Sequence, residues 1–325
     1  MNPARYLSAV RLGPTPGPAR SRPGRRSVVS DQYGGVTTPA PKKVTVPDLV
    51  AMKRDGKRIT MMTAYDAAFA RLVDQAGIDV ILVGDSLGMV VLGYPTTVPV
   101  TMDDMVRHAA AVSRGATRPL LIGDMPFGSY QTGPSDALRN AARFLKEAGM
   151  DAIKVEGGAE VVETVRTLTA NGIAVMAHVG LTPQRVAQLG GFKVQAKTAR
   201  AARRLIDDAL ALEDAGAFSI VLESVPAPVG ALATQRLSIP TIGIGAGVDC
   251  DGQVLVLHDV LGLYGEFKPK FAKRYADIGA AVTNALREFD REVRDGSFPT
   301  DEHSFTMKES ELLSLQRSIA QQKAG

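Results

Sequence analysis

The chain has 325 residues, 45% of them hydrophobic and 22% charged, an ordinary balance for a globular protein with a sizeable core. Its formal net charge is +4, but much of the excess is arginine within the first 26 residues, and a nearly neutral body argues against a nucleic-acid surface. The single cysteine, Cys250, excludes an intrachain disulfide and fits a reducing compartment. No apolar run reaches the roughly 18 residues that span a bilayer.

Residues 1–43 differ in composition from the rest of the chain. They are rich in Arg, Pro, Gly and Ser, and their first acidic residue is Asp31. We predict a disordered basic N-terminal extension, or a translation start placed too far upstream. A mitochondrial transit peptide is the alternative, although prolines at positions 3, 15, 18 and 23 would break an amphipathic helix. We therefore expect a cytoplasmic protein, with the mitochondrial matrix as the alternative location.

From residue 44 onward, short apolar runs alternate with amphipathic segments. In the stretch Asp79 to Gly88, for example, the apolar run 80–83 ends abruptly in Gly84-Asp85-Ser86, as a strand buried on both faces would. The predicted strands are 58–63, 80–83, 119–124, 152–156, 173–178, 218–222, 240–244 and 253–257. The predicted helices are 44–55, 67–76, 101–114, 135–148, 159–170, 199–215, 271–294 and an exposed helix within 306–325. Loops are expected at 88–101, 128–134 and 180–191.

Eight strands alternating with helices predict a (β/α)8 barrel over residues 44–305, followed by a C-terminal extension at 306–325. A doubly wound open sheet is the alternative, but it usually carries a glycine-rich turn after the first strand, where this chain has Thr63-Ala64-Tyr65. The segment GIGAG after the seventh strand could hold a phosphate or could be a tight turn that requires small residues.

Polar residues follow most of the predicted strands, where the active sites of barrels lie. They are Asp85 and Ser86, Asp124, Lys154 and Glu156, His178, Glu223, and His258 with Asp259. Taken singly, each could be a cap, a turn residue or a structural ion pair. Together, several carboxylates at one barrel mouth would repel one another unless a cation or proton intervenes. Oxygen ligands from separate strands suit Mg²⁺, whose open positions a 2-oxo acid could chelate.

In that arrangement, two further side chains acquire chemical roles. Lys154 could supply positive charge to the carboxylate or enolate oxygen of the oxo acid. Glu223, on a separate strand, is then available as a base rather than a ligand. The residues therefore predict a metal-assisted carbon-acid enzyme without naming its substrate.

The chain closely resembles the ketopantoate hydroxymethyltransferase family over roughly residues 43–306. The resemblance rests on long motifs in family order: MMTAYDAAFARL, ILVGDSLGMVVLGYPTTVPVTMDDM, GDMPFGSY, DAIKVEGG, AHVGLTPQ, LESVP, IPTIGIGAG, DGQVLVLHD and SFPTDEHSF. It implies a (β/α)8 barrel of the phosphoenolpyruvate mutase and isocitrate lyase type. It also implies transfer of a hydroxymethyl group from 5,10-methylenetetrahydrofolate to 3-methyl-2-oxobutanoate, giving 2-dehydropantoate and tetrahydrofolate on the route to pantothenate and coenzyme A.

The same resemblance implies roles for individual residues. Asp85 and Asp124 would hold Mg²⁺ and contact the substrate, and Glu156 would complete the metal site. Ser86 would contact the 2-oxo acid and Lys154 its anionic end, with Glu223 as the base. His178, Tyr65 and Tyr94 are candidates for supporting or folate-side residues. The family also forms large homo-oligomers, typically decamers, with neither nucleic acid nor membrane as a partner.

Two other functions compete with this interpretation. A carbon–carbon or carbon–phosphorus lyase of the phosphoenolpyruvate mutase group would share the barrel, Mg²⁺ and oxo-acid binding, but such lyases usually use a cysteine-containing loop. The only cysteine here follows the seventh strand. A non-catalytic ligand-binding barrel would be expected to have lost at least one metal or base position, and Asp85, Asp124, Lys154, Glu156 and Glu223 are all present.

Overall fold

Eight parallel strands close into a barrel in the order in which they occur along the chain, which confirms the predicted (β/α)8 architecture. The computed structural model describes residues 42–263 and 269–322, so the predicted N-terminal extension lies almost entirely outside the described residues. The strands are β1 Ile59–Thr63, β2 Val80–Val83, β3 Leu120–Asp124, β4 Ala152–Glu156, β5 Val175–Gly180, β6 Ser219–Glu223, β7 Thr241–Ile244 and β8 Gly252–Leu255.

The barrel has two apolar layers because successive side chains of a strand point to opposite faces. The inner layer is aliphatic and includes Met61, Leu82 and Ile122, with Leu49 also buried against it. The outer layer packs the other strand positions against the helices, and Phe144 is its largest fully buried side chain. Because both faces of β2, β3 and β4 are covered, every residue of these strands is buried, whereas burial alternates along β1 and β8.

Most helices of the described residues lie between successive strands, while one precedes β1 and three follow β8. The helices are α1 Val46–Arg54, α2 Ala67–Gln75, α3 Leu87–Val90, α4 Met102–Gly115, α5 Pro134–Ala148, α6 Val162–Ala170, α7 Val186–Leu189, α8 Ala199–Asp214, α9 Ala227–Arg236, α10 Leu257–Leu261, α11 Ile278–Asp295 and α12 Glu309–Gln322. Asp66, Thr101 and Thr198 cap their helices through side-chain oxygens that accept backbone N–H groups. Within the described ranges, no helix combines the length and the apolar character needed to cross a membrane.

Three helices lie between strands where the sequence predicted none. The expected loops at 88–101 and 180–191 contain the four-residue helices α3 and α7, and α9 follows β6 where no helix was predicted. Such short helices carry no periodic signal, and Pro228 and Gly230 in α9 resemble a loop. Gly230 is required by packing, because a Cβ atom there would lie 2.2 Å from the carbonyl oxygen of Ala246.

The prediction for strand eight was wrong at its end. β8 stops at Leu255, and His258 and Asp259 lie on α10, not at a strand end. The chain turns there because the backbone N–H of Leu257 donates to the hydroxyl of Thr63 at 3.0 Å.

The segment after the barrel also differs from its prediction. The helix predicted from residue 271 begins at Ile278, because Phe271 and Ala272 pack against the body of the protein before it. α11 buries none of its residues, and every residue of α12 with a described burial is exposed. In the segment GIGAG, Gly243 and Ile244 are the last residues of β7. The remaining three residues leave the strand beside α9, where a Cβ atom on Gly247 would lie 2.5 Å from that of Ala227.

Candidate active site

The carboxyl ends of β2, β3 and β4 bring three carboxylates to one mouth of the barrel. Asp85 follows β2, Asp124 ends β3 and Glu156 ends β4, and each is at most 5% exposed. Strand register produces this proximity, because Asp124 pairs with Lys154 across the β3–β4 interface. The structure therefore brings together the residues that the sequence predicted as metal ligands.

Lys154 is the cationic centre of this cluster. Its Nζ atom lies 2.7 Å from Oδ1 of Asp124 and 3.4 Å from Nδ1 of His178. The other carboxylate oxygen of Asp124 accepts the backbone N–H of Asp85 at 3.1 Å. Lys154 and Glu156 project to the same side because they are two residues apart on one strand. Their contacts connect the ends of β2, β3, β4 and β5.

His178 joins the carboxylate cluster to Glu223. Its Nδ1 atom lies 3.5 Å from Oε2 of Glu156, and its Nε2 atom lies 3.2 Å from Oε2 of Glu223. Glu223 is the last residue of β6 and its side chain remains 15% exposed, unlike those of its neighbours. The imidazole thus lies between a buried carboxylate and one that an incoming molecule can reach.

Two residues that the sequence interpretation did not single out complete the cluster. Gln184 follows β5 in a 3₁₀ turn, and its Nε2 atom donates to Oδ2 of Asp85 at 3.0 Å. The Tyr130 hydroxyl lies 2.7 Å from Oε1 of Gln184 and 3.0 Å from the backbone oxygen of Glu156. The only sequence signal for either was its place in the motifs GLTPQ and GDMPFGSY.

Of the other residues that the sequence predicted for the site, some lie beside the carboxylate cluster and others lie away from it. The Tyr65 hydroxyl lies 2.9 Å from the Ser86 hydroxyl, which places both beside Asp85. Tyr94 is 39% exposed on the loop that follows α3. His258 packs instead against the rings of Tyr65 and Phe69, with ring centroids 5.4 Å and 6.3 Å away.

Burial and mutual repulsion shift the proton affinities of these groups. Burial raises the pKa of Asp85 well above its usual range, and the carboxylates of Asp124 and Glu156 raise it further. Burial also raises the pKa of Asp124, although the Lys154 ammonium opposes that effect. Burial and Lys154 lower the pKa of His178, but Glu156 and Glu223 outweigh them and raise it to about 9. The cluster therefore has an excess of negative charge when its acids are ionised.

The donor set of the cluster fits a divalent hard cation. Asp85, Asp124 and Glu156 offer carboxylate oxygens, and each oxygen has lone pairs beyond those used in its present hydrogen bonds. Their excess charge is what a divalent ion would neutralise. Over residues 42–263 and 269–322, no group of three or more His, Cys, Asp or Glu side chains has an arrangement that could hold a metal ion. Asp124 is instead paired with Lys154.

Gly180 packs closely against the backbone of Glu223. Gly180 has φ +102°, and a Cβ atom there would lie 2.3 Å from the carbonyl oxygen of Glu223. We expect Gly180→Ala to lower the free energy of unfolding by about 1–3 kcal/mol, through overpacking and left-handed backbone strain. Urea unfolding monitored by circular dichroism measures this change.

Gly172→Ala is the matched control for Gly180→Ala. Gly172 also has a positive φ, +80°, but a Cβ atom there would meet nothing within 4 Å. The control therefore carries backbone strain without the steric clash, and its loss of stability should be smaller. Equal losses in the two variants would show that the close approach of Gly180 to Glu223 has no energetic importance.

Comparisons with known proteins give matches in sequence and in fold. The family model described as ketopantoate hydroxymethyltransferase matches residues 43–301. The chain is 60% identical to the 3-methyl-2-oxobutanoate hydroxymethyltransferase of Heliobacterium modesticaldum over 266 residues, which are 82% of this chain and 96% of the relative. It is 54% identical to the enzyme of that name from Syntrophus aciditrophicus, over 81% of this chain and 97% of the relative.

Solved structures show the same fold at lower identity. A phosphonopyruvate hydrolase in complex with oxalate and magnesium aligns with a TM-score of 0.52 at 19% identity, covering 85% of this chain and 97% of the other. A 2,3-dimethylmalate lyase of the PEP mutase/isocitrate lyase superfamily aligns with a TM-score of 0.51 at 18% identity, covering 88% of this chain and 100% of the other. These likenesses establish the barrel type.

Proposed function

The chain belongs to the ketopantoate hydroxymethyltransferase family, and from this premise we propose that it transfers a hydroxymethyl group from 5,10-methylenetetrahydrofolate to 3-methyl-2-oxobutanoate by Mg²⁺-assisted enolisation. One observation carries the proposal for the mechanism: buried carboxylates at the ends of β2, β3 and β4 surround a lysine, while Glu223 lies across His178 from them. The products are 2-dehydropantoate and tetrahydrofolate.

The metal site is assigned to Asp85, Asp124 and Glu156. Bound there, Mg²⁺ would polarise the keto group of the oxo acid and make its C3 hydrogen more acidic. The Ser86 hydroxyl, beside Asp85 and held by Tyr65, is placed to contact the oxo acid. Burial of the carboxylates excludes water and strengthens their interaction with a cation.

Glu223 is assigned as the base that removes the C3 proton of the oxo acid. Its side chain is the more exposed partner of the His178 contact, so a bound substrate can approach it. His178 holds that carboxylate from the barrel side. Lys154 offsets the negative charge that develops as the proton leaves. The C3 carbon then forms a bond to the methylene carbon of the folate as the bond from that carbon to N10 breaks, and N10 takes up the proton that Glu223 removed. Water then supplies the hydroxyl group as the bond to N5 breaks, N5 takes up the remaining proton of the water, and tetrahydrofolate leaves.

The competing lyase function is less well supported. Such lyases usually use a cysteine-containing loop, whereas Cys250 is 1% exposed and burial raises the pKa of its thiol. A buried thiol of raised pKa is a poor nucleophile or acid. A non-catalytic barrel would have no use for a partly exposed carboxylate held beside a buried acidic cluster.

A turnover assay tests the proposed function. The purified chain is incubated with 3-methyl-2-oxobutanoate, Mg²⁺ and 5,10-methylenetetrahydrofolate carrying deuterium on its methylene carbon. Mass spectrometry should detect 2-dehydropantoate two mass units heavier than the unlabelled compound. Chelation of the metal should abolish its formation, and added Mg²⁺ should restore it. Product formation that survives complete chelation would contradict the metal-assisted mechanism, and unlabelled product would contradict the folate as donor.

The family resemblance also supports the wider setting of the proposed reaction. We expect a cytoplasmic homo-oligomer, a decamer in the pattern of the family, that takes two small-molecule substrates. Residues 1–41 and 323–325 lie outside the described residues. The family match ends at residue 301, so α12 belongs to the proposed C-terminal extension.

A further inference from the structure

Gln184 uses every polar group of its side chain inside the carboxylate cluster. It is 4% exposed. Its Nε2 atom donates to Oδ2 of Asp85 at 3.0 Å and to the carbonyl oxygen of Met125 at 2.9 Å. Its Oε1 atom accepts from the Tyr130 hydroxyl at 2.7 Å and from Nε2 of Gln131 at 3.3 Å. The side-chain amide therefore spans the ends of β2 and β3.

The backbone of the same residue reaches the third carboxylate. The N–H group of Gln184 donates to Oε1 of Glu156 at 2.8 Å. One residue on the turn after β5 thus contacts two of the three proposed metal ligands, Asp85 and Glu156. The third, Asp124, is held by Lys154 and by the backbone of Asp85.

The orientation of the amide is fixed by its surroundings. The Met125 carbonyl is an obligate acceptor, so the atom facing it must be a donor. Rotating the amide by half a turn would place Oε1 against both that carbonyl and the Asp85 carboxylate. Two acceptor–acceptor contacts in a buried site are costly. Gln184 therefore presents its NH₂ group to Asp85.

We propose that Gln184 is a positioning residue, which selects the carboxylate oxygens of Asp85 and Glu156 that face the metal. The inference rests on the proposed function, since it assumes the metal site described above. The hydrogen bond to Oδ2 of Asp85 leaves Oδ1 of that carboxylate for the metal. The hydrogen bond to Oε1 of Glu156 leaves Oε2, which lies 3.5 Å from Nδ1 of His178. Hydrogen-bond partners of metal ligands orient them and raise affinity for the ion, and their removal typically costs about 10–100-fold in binding.

Gln184→Met tests the proposal because it keeps the length of the side chain and removes its hydrogen bonds. The probe is Mn²⁺, an oxygen-preferring ion whose free concentration electron paramagnetic resonance reports directly. We expect the dissociation constant for Mn²⁺ to rise about 10–100-fold, while turnover at saturating metal falls less. Gln184→Asn, which withdraws the amide by one methylene, is the second variant and should weaken Mn²⁺ binding in the same direction.

Gln131→Met is the matched control. Gln131 is exposed and reaches the cluster only at the amide oxygen of Gln184, while its own Oε1 atom accepts the backbone N–H of Gly128. The affinity of the Gln131→Met chain for Mn²⁺ should stay within about twofold of that of the parent chain. If a folded Gln184→Met or Gln184→Asn chain binds Mn²⁺ as tightly as the parent, the positioning role is refuted and the metal site stands. A parent chain that binds no Mn²⁺ would instead refute the metal site, and the inference with it.

Discussion

A Glu223→Gln chain is expected to bind Mg²⁺ and the oxo acid normally, yet turn over about 10²–10⁴-fold more slowly, the range typical for loss of a general base. Glutamine has the size of glutamate and can keep a hydrogen bond to His178, whose Nε2 atom lies 3.2 Å from the carboxylate. It cannot take up a proton. Steady-state kinetics measure kcat, and calorimetry measures the affinity for the oxo acid.

Glu163→Gln provides the matched control for this substitution. Glu163 lies in the first turn of α6, and its side chain is 76% exposed. The control makes the same chemical change away from the strand ends, so its kcat should match that of the parent. A Glu223→Gln chain with unchanged kcat would remove Glu223 from the role of base. A chain that lost substrate affinity and kept kcat would make Glu223 a binding residue.

An Asp124→Asn chain is expected to lose Mg²⁺ affinity by more than about 100-fold, because removing a ligand should exceed the cost of removing a ligand's hydrogen-bond partner. The substitution keeps the shape of the side chain and an oxygen for the backbone N–H of Asp85. It removes the charge that faces Lys154 at 2.7 Å. Asparagine is preferable to alanine because it keeps the volume of the side chain and one of its two acceptor contacts. Calorimetric titration with Mg²⁺ measures the affinity.

Asp207→Asn is the corresponding control for the aspartate. Asp207 lies on α8, pairs with Arg203, and has a side chain that is 51% exposed. Replacing the Asp207 carboxylate by an amide should leave the affinity of the chain for Mg²⁺ unchanged. Normal Mg²⁺ binding by the Asp124→Asn chain would contradict the assignment of Asp124 as a ligand.

The sequence predicts most of the site because its residues stand at strand ends. Apolar runs such as 80–83 and 152–156 define strands, and parallel strands in a closed barrel end at the same mouth. Asp124 and Lys154 could be expected to meet once β3 and β4 were recognised as neighbours. The register of the two strands then sets their distance, and Nζ of Lys154 lies 2.7 Å from Oδ1 of Asp124.

The rest of the site depends on contacts that no periodicity encodes. Gln184 lies in a turn opened by Pro183, and only the folded loop directs its amide toward Asp85, 99 residues away in sequence. The helices α3 and α7 are one turn long, too short for a repeating pattern. The end of β8 is set by a hydrogen bond from Leu257 to Thr63, across the barrel seam. In each case, contacts between residues that are far apart in the sequence decide the local structure.

Exchange of the C3 hydrogen of 3-methyl-2-oxobutanoate with deuterium, in heavy water and without folate, tests metal-assisted proton removal most directly. Proton nuclear magnetic resonance follows the loss of the C3 signal. The account predicts exchange that requires both the protein and Mg²⁺, stops on chelation and is strongly slowed by Glu223→Gln. Exchange at the same rate with the metal chelated, or with Glu223 replaced, would contradict it.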